Sequence, residues 1–369
     1  MNKLLAAGLA VVVICAVSAP VSAVQDRSSE SHQWLASSDN DQNSPSGLGA
    51  PAGSWLAAAE AEADNAAATV PDNTTPAGDG PPLPLHTIEG VGGGLIVPMA
   101  YLVNPGPAGT VIGRPAVSVT YLHMGRKNLL SFAISQTFFR RVELSYAFNR
   151  LALGSLPEAI KKYSSGSLKI RRHEVYLHHF NVRGLLIEEN SFGMPIPAIV
   201  AGMQMKFNGG FRGIDNSLGS PSSSGTFTTI GLDRCNGIDY TLHASKTFPE
   251  LLFGRPVIFT VGMRNSQASN IGYTGFGGDC EWTIETDVVC LVTDRLAVGY
   301  EYRNKNDAYD RPSGAAYRRL VRGEDDWHAV RVAYVINDHC TIGAGWAYLG
   351  PVLNSHEGCV WGFQFKYEF

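Results

Sequence analysis

The chain has 369 residues, with 29 basic and 33 acidic side chains and a formal net charge of −4 at neutral pH. This slightly acidic balance argues against nucleic-acid binding, which requires a basic surface. Hydrophobic residues make up 44% of the chain, but after the N-terminus none of its segments is apolar for the roughly 18 residues that a membrane helix needs.

The first 23 residues have the organisation of a secretory signal peptide. Lys3 supplies the positive charge, residues 4–17 form a short apolar stretch, and residues 21–23 are small enough for cleavage near Ala23. Because the apolar run is short and no positively charged flank follows it, the sequence predicts export with cleavage rather than a membrane anchor.

Two segments without strand patterning follow the signal peptide. Residues 24–85 are rich in Ala, Ser, Gly and Pro and have little to bury, so we expect a disordered arm. Residues 86–114 open with a glycine-rich run that lacks the Lys-Ser/Thr ending of a phosphate-binding loop. The glycines indicate a tight backbone path instead, and the segment is predicted to be a plug of a lumen or an extra strand.

From residue 115 to residue 369 the chain is a series of strand-sized runs, each near the ten residues that a tilted membrane strand requires. A chain that crosses a membrane without helices must close into a barrel, because open strand edges cannot be satisfied in lipid. The sequence therefore predicts an all-β, transmembrane, antiparallel up-and-down β-barrel of twelve strands. The predicted strands are 115–124, 129–138, 140–150, 168–180, 196–206, 237–247, 255–264, 281–291, 294–304, 327–336, 339–349 and 358–369.

The lengths of the connections alternate, which is typical of outer-membrane barrels with long loops on one side and tight turns on the other. The exceptions are one short loop at 125–128 and two longer turns at 181–195 and 248–254. The long, polar connections are 151–167, 207–236, 265–280 and 305–326, and the short ones are 139, 292–293 and 337–338.

Within several strands, apolar and charged side chains alternate between the two faces. A Lys or Arg on the lipid face costs roughly 2–4 kcal/mol near the bilayer midplane, so the charged members are predicted to point inward. The predicted lumen-lining residues are Arg141, Glu143, Asp239, His243, Glu281, Glu285, Asp287, Arg295, Glu301, Arg303, Arg331 and Lys366, and the same face carries Lys206, Arg264 and Glu368.

The final strand combines an aromatic face with a polar one and ends on an aromatic residue. Such a terminus resembles the signal that barrel-assembly machinery reads in outer-membrane proteins. We therefore expect this strand to face the lipids and lipopolysaccharide of a bacterial outer membrane. A soluble β-sandwich or lipocalin-like barrel is the alternative, since those folds also alternate. The aromatic residues are Trp361, Phe363, Phe365, Tyr367 and Phe369.

Five cysteines follow the predicted cleavage site. Export to an oxidising compartment would permit a disulfide among Cys235, Cys280, Cys340 and Cys359, whereas Cys290 lies on an apolar strand face. The absence of any C-x-x-C spacing argues against a zinc site. No metal site and no cofactor are predicted.

Residues 87–369 resemble domain-of-unknown-function family 3034, a family of bacterial outer-membrane barrels. The resemblance rests most on the glycine-rich opening at 89–98 and on the strand at 293–303. It implies location and shape, and it implies no catalytic residues because the family has no assigned chemistry. The other matching pieces are 141–145, 252–255, 275–279, 324–327 and the terminal aromatic strand.

Three functions are compatible with this sequence. The first is a porin-like passive channel for small solutes, because charges lining a pore set its selectivity. The second is a non-conducting structural or anchoring barrel, in which the same charges satisfy one another. The third is a lipid hydrolase using His243 and Ser245, which share a strand face. That pair is predicted to face the lumen rather than lipid, so the sequence favours a non-enzymatic barrel. The porin-like passive channel is the leading prediction, and the other two functions are its alternatives.

Overall fold

The computed structural model describes residues 85–163, 165–166, 169–218, 226–229, 231–305 and 323–369. The predicted signal peptide and the predicted arm lie outside these ranges, apart from Leu85. In the part of the chain that is described, no helix is both long and apolar enough to span a bilayer.

Twelve antiparallel strands close into one barrel, as the sequence predicted. Strand β16 closes the cylinder by pairing with β3, where Phe363 lies opposite Tyr121. Two short strands inside the barrel precede the wall, β1 (Leu85–His86) and β2 (Gly92–Gly93). The wall strands are β3 (Ala116–Met124), β4 (Lys127–Phe138), β5 (Val142–Ala152), β6 (Glu174–Ile187), β7 (Ala198–Asn208), β8 (Asn236–Leu252), β9 (Arg255–Ala268), β10 (Phe276–Leu291), β11 (Leu296–Arg303), β12 (Trp327–Asn337), β13 (Cys340–Tyr348) and β16 (Val360–Glu368).

Several strand boundaries differ clearly from the prediction. Strand β6 continues to Ile187, into the connection expected at 181–195, and β10 begins at Phe276 inside the loop expected at 265–280. The strand expected at 168–180 begins only at Glu174, because the charged run 171–173 would otherwise place charges on both faces of the wall. The longer connection expected at 248–254 is mostly strand, and β8 ends in the two-residue turn Phe253-Gly254. A register shift between Phe248 and Leu252 accommodates Pro249, which cannot donate a ladder hydrogen bond.

The two ends of the barrel are different. One end, here called the turn end, carries the connections 139–141, 188–197, 253–254, 292–295 and 338–339, together with the C-terminus. A 3-10 turn, Ser191–Gly193, also lies at the turn end. The opposite loop end carries the short β3–β4 turn and the three α-helices of the described residues. These helices are α1 (Leu156–Tyr163), α2 (Phe211–Leu218) and α3 (Thr226–Thr229), and a small hairpin, β14 (Gly350–Val352) with β15 (Ser355–Glu357), also lies there.

The outer wall is an exposed apolar belt. In β16, Trp361, Phe363 and Phe365 are 52%, 60% and 48% exposed, while Gly362, Gln364 and Lys366 between them are buried inside. Tyr367 is half-buried and Phe369 is exposed. The alternation thus places apolar groups outside and polar groups inside. Other exposed belt residues include Val119, Phe132, Ile134, Leu144, Phe180, Val182, Leu242, Val261, Ile284, Val332 and Ile342.

The loop end is covered by a compact apolar core, here called the cap. Helix α1 contributes Leu156 and Ile160, and the connection before β8 contributes Leu232, which is fully buried. Removal of such side chains from water stabilises a fold by about 1.5–3 kcal/mol each. The cap also includes Phe211, Ile214, Phe227, Ile271 and Phe276, and it is continuous with Ile88 and Leu95 inside the barrel.

Candidate functional site: the filled lumen

Residues 85–103, here called the plug, run inside the barrel. The plug begins near Gly343 at the turn end, and β1 and β2 pair within it. It returns to the turn end, where the Thr137 hydroxyl donates to the Val103 carbonyl at 2.5 Å. All plug residues are buried except Tyr101, which is half-buried. Both ends of the plug, Leu85 and Val103, therefore lie toward the turn end.

Glycines let the plug approach the wall closely. Gly90 has φ +87°, and a Cβ there would lie 2.6 Å from the Cβ of Ala147. A Cβ on Gly94 would lie 2.3 Å from Nη1 of Arg331 and 2.4 Å from the Glu301 carboxylate. The backbone thus reaches the charged wall only because these positions have no side chain.

Glu89 of the plug is the centre of a buried ion-pair network. Its carboxylate lies 2.5 Å from Nζ of Lys206, 3.0 Å from Nη2 of Arg264 and 2.9 Å from Nη2 of Arg303. The side chain of Glu89 is fully buried, and its partners are at least 95% buried. Three cations from β7, β9 and β11 therefore converge on one carboxylate, which offsets the cost of removing these charges from water.

The wall extends this network with its own carboxylates. Arg264 also pairs with Asp239 at 2.9 Å and with Glu285 at 2.7 Å. The other oxygen of Glu285 lies 2.8 Å from Nε2 of His243. His243 is thus held by a carboxylate two strands away along the wall, on the other side of Gly262 in β9, rather than by a hydroxyl group.

Glu301 binds the backbone of the plug directly. Its carboxylate accepts hydrogen bonds from the N–H groups of Leu95, Ile96 and Val97 at 2.7–2.8 Å. Arg331 neutralises this carboxylate and pairs with Asp287 at 2.8 Å. Charge-assisted bonds of this kind are roughly twice as strong as neutral ones.

A second ion pair of the wall, between Arg183 and Glu143, binds the other side of the plug. Nη2 of Arg183 lies 2.6 Å from Glu143, whose carboxylate accepts hydrogen bonds from Gly92 N–H at 3.2 Å and Val103 N–H at 2.8 Å. Arg183 in turn donates to the carbonyl oxygen of Met99 at 2.7 Å. The pair therefore connects two separate stretches of the plug, around Gly92 and over 99–103, to the wall.

His86 occupies a neutral polar pocket. Its Nδ1 and Nε2 lie 2.8 Å from the hydroxyl groups of Ser118 and Ser135. The Gln364 side chain accepts from the His86 backbone N–H at 3.1 Å and donates to its carbonyl at 2.6 Å. This set joins the start of the plug to β3, β4 and the terminal strand.

A polar cluster fastens the plug where it leaves the lumen. The Tyr101 hydroxyl donates to Glu189 at 2.5 Å and lies 2.7 Å from the hydroxyl of Thr247. Glu189 also pairs with Lys246 at 3.3 Å. Burial and the hydrogen bond to Glu189 raise the pKa of Tyr101 above its usual value, so the phenol remains a donor.

Most predicted lumen residues lie inside the barrel. Glu281 is half-buried and lines a cavity of about 20 Å³, a volume sufficient for about one water. The cavity also contacts Lys206, Arg264 and Arg303. The buried, inward-facing members of the predicted set are Glu143, Asp239, His243, Glu285, Asp287, Glu301, Arg303, Arg331 and Lys366.

Two predicted lumen residues are wrong. Arg141 is exposed and pairs with Glu188, and Arg295 is exposed just before β11. Both predicted strands begin two residues too early, so these arginines lie in turns. Solvent at the turn end accommodates them without the desolvation that the lumen would impose.

Sequence reasoning missed three residues that hold the plug, Glu89, Arg183 and His86. Glu89 and His86 lie in a segment without strand periodicity, and Arg183 fell in a stretch interpreted as a connection. One signal in the sequence was available. Glu89 is a carboxylate directly before the glycine-rich run, and the predicted wall carries arginines that need a partner.

The His243/Ser245 pair does not form a catalytic arrangement. The Ser245 hydroxyl accepts from Ala100 N–H at 2.8 Å and lies 2.8 Å from the Thr260 hydroxyl, while His243 bonds to Glu285. Within the described ranges, no group of three or more His, Cys, Asp or Glu residues could hold a metal ion. Each of the five cysteines considered above is free.

Comparison with known proteins identifies the family. Residues 84–363 match the family described as "Protein of unknown function (DUF3034)". The chain belongs to this family. A search of curated proteins found no match to this DUF3034 member.

Solved structures with a similar backbone are outer-membrane barrels. One is a KdgM porin that is 9% identical to this chain. The match covers 69% of this chain and 99% of the porin, with a TM-score of 0.41. Omp33 of Acinetobacter baumannii is 10% identical, with coverages of 70% and 99% and a TM-score of 0.34. Outer membrane phospholipase A from Escherichia coli is 8% identical, with coverages of 70% and 92% and a TM-score of 0.30. At TM-scores below 0.5, these similarities carry no argument about what the DUF3034 chain does.

Proposed function

We propose that this protein is a bacterial outer-membrane barrel that its own plug holds closed, and that in this state it does not conduct solutes. The exposed apolar belt supports the membrane placement, because a wall of Val, Ile, Leu and aromatic side chains is stable against acyl chains and not against water. The predicted signal peptide agrees with export to that membrane.

The observation that carries the closed state is the fully buried Glu89 and its three cationic partners. Displacement of the plug would leave Lys206, Arg264 and Arg303 facing fewer carboxylates, which is unfavourable in a confined lumen. The cap at the loop end packs against Ile88 and Leu95 of the plug, so its closure of that end depends in part on the plug. A barrel closed in this way acts as an anchor in the envelope. We expect it to contact lipopolysaccharide at the loops and to be recognised by the assembly machinery at its aromatic terminus.

A porin-like channel is the second candidate, and the path of the plug favours it. Because both Leu85 and Val103 lie toward the turn end, the segment between them can be withdrawn as a hairpin without threading through the barrel. The wall pairs Arg264–Asp239 and Arg331–Asp287 do not involve the plug. They would remain to line an opened lumen with both signs of charge.

Conductance in planar bilayers tests this proposal. The chain from residue 24 onward is expected to show no current above background, and deletion of residues 85–103 is expected to produce channels. Deletion of residues 24–84, which retains the plug, is the control and should remain silent. Resistance of the folded barrel to detergent at room temperature would verify folding in each case.

Two outcomes would change the conclusion. Steady conductance of the complete mature chain would contradict the closed state and favour the channel. A folded but silent variant without the plug would show that the cap alone closes the lumen, which would leave only the structural role.

A further inference from the structure

Three consecutive hairpins at the turn end each present an exposed phenylalanine at the tip. Phe139, Phe192 and Phe253 are 66%, 82% and 97% exposed. They lie between β4 and β5, β6 and β7, and β8 and β9. Their positions follow from the order of the strands, so they occupy neighbouring places around one part of the rim.

The turn geometry does not account for these phenylalanines. All three have left-handed backbones, with φ of +51°, +60° and +52°. Phe139 and Arg140 are the central residues of the turn 138–141, and Phe253 and Gly254 form the whole of the next turn but one. All four residues have positive φ, a conformation that favours Asn and Gly. Because large side chains are disfavoured there, the aromatic groups indicate a role outside the fold of the turn.

The same sector of the rim is apolar beyond its tips. Exposed Val111, Ile112, Met194 and Leu251 lie in the connections or strand ends around the three phenylalanines. The belt above them includes Leu144 and Leu186. The apolar surface therefore continues from the belt over the rim between β3 and β9. We call this surface the aromatic rim.

The remaining two turns have a different character. The tip residues 293–295 and 337–339 are all exposed, and they read Thr-Asp-Arg and Asn-Asp-His. The exposed aliphatic residues nearest to these tips are Val292 and Ile336, which adjoin the strand ends. The tips that carry phenylalanine thus lie on one side of the barrel, and the tips on the side formed by β10 to β13 are polar.

Arginines accompany the phenylalanines. Arg114 and Arg140 are exposed, Arg141 follows Phe139 closely, and Arg255 follows Phe253. Arg141 and Arg255 have surface partners, Glu188 and Asp294, and exposed pairs of this kind are weak. Guanidinium groups bind phosphate oxygens well, and aromatic rings are enriched where a membrane meets water.

We propose that the aromatic rim inserts into the phospholipid leaflet at the turn end, with its phenylalanines at the boundary between headgroups and acyl chains and its arginines on lipid phosphates. The inference rests on the membrane placement proposed above. Continuity with the belt and the charge of the arginines favour lipid over a protein partner. Because the phenylalanine tips lie on only one side of the rim, the barrel axis is tilted so that the β3–β9 side lies deeper.

Spin labels on single cysteines test this insertion. The mature chain would first have Cys235, Cys280, Cys290, Cys340 and Cys359 replaced by serine or alanine. A label at F253C, with F192C as a second site, is compared with D338C on the polar side and I284C in the belt. After reconstitution in phosphatidylethanolamine and phosphatidylglycerol vesicles, collision with oxygen reports lipid, and collision with a nickel chelate reports water.

We expect labels at 253 and 192 to collide more with oxygen than with the chelate, and the label at 338 to show the reverse. If 253 and 192 are accessible to the chelate while 284 is in lipid, the insertion is refuted and the membrane placement stands. If 284 is itself accessible to the chelate, the membrane placement fails. If 253 is shielded from both reagents, with spin coupling that disappears on dilution with unlabelled chain, a second copy covers the rim and the lipid assignment is wrong.

Discussion

The barrel is closed in two places by opposite kinds of chemistry. At the loop end, the cap closes it with apolar side chains such as Leu156, Leu232 and Phe276. In the lumen, the plug closes it through Glu89 and through wall carboxylates such as Glu301 that accept backbone N–H groups. Apolar packing tolerates replacement by groups of similar volume, whereas a buried ion pair that loses one member leaves an uncompensated charge.

This difference indicates that the plug is held in one defined position, whereas the cap can pack in several ways. Many arrangements of the cap would bury a similar apolar area. Glu89, in contrast, meets Lys206, Arg264 and Arg303 at one place only, and Gly94 fits against Arg331 at one place only. The plug is therefore the closure with a defined register, and mutations can separate its role from that of the cap.

The largest effect is expected from the substitution Glu89→Ala. It leaves three buried cations without their shared carboxylate, and loss of one partner of a buried pair costs about 3–5 kcal/mol. We expect the free energy of unfolding, measured by urea titration in vesicles, to fall by that amount and single-channel openings to appear.

The control for this substitution is Glu188→Ala, which removes the partner of Arg141 in an exposed pair. Its effect on unfolding should remain below about 1 kcal/mol, and the bilayer should stay silent. Equal effects of the two variants would contradict the central position of Glu89.

The next effect is expected from Leu232→Ala in the cap. Leu232 is fully buried, and removal of a buried leucine side chain costs about 2–4 kcal/mol because a cavity remains. We expect lower stability in the same urea titration without conductance, because the plug contacts are intact. Openings comparable with those of Glu89→Ala would show that the two closures are not independent.

The sequence predicts the wall well because lipid outside and a polar interior together impose a period of two on every strand. The alternation of Trp361, Phe363 and Phe365 with Gly362 and Gln364 is enough to orient β16. Strand ends are less constrained, since both faces there meet water. Arg141 and Arg295 were therefore assigned to the lumen although they lie in turns.

The plug contacts were not predictable in the same way. Glu89 meets partners on three strands that are far apart in the chain, and Gly94 is required by the side chain of Arg331. Such contacts form only when barrel closure brings distant strands together, so no local sequence pattern indicates them. A single sequence suggests that the glycine-rich segment is compact, but it does not identify the wall residues that receive it.

A smaller effect is expected from Gly94→Ala. The added methyl group would lie 2.3 Å from Nη1 of Arg331 and 2.4 Å from the Glu301 carboxylate, so the plug must shift. Overpacking of this kind costs about 1–3 kcal/mol. The control is Gly184→Ala on the outer wall, where a Cβ meets no atom within 4 Å and stability should change by less than about 0.5 kcal/mol. Similar urea midpoints for both variants would contradict close packing at Gly94.

The smallest effect is expected from Ser245→Ala, and it separates the structural role of this hydroxyl from a catalytic one. Ser245 accepts from Ala100 N–H and bonds to Thr260, so its loss should cost about 1 kcal/mol. Phospholipid hydrolysis by vesicles that contain the protein should be the same before and after the substitution. Hydrolysis by the native chain that disappears in Ser245→Ala would instead support the hydrolase. That result would require the plug to leave, because Ala100 now occupies the side of the hydroxyl that a substrate would need.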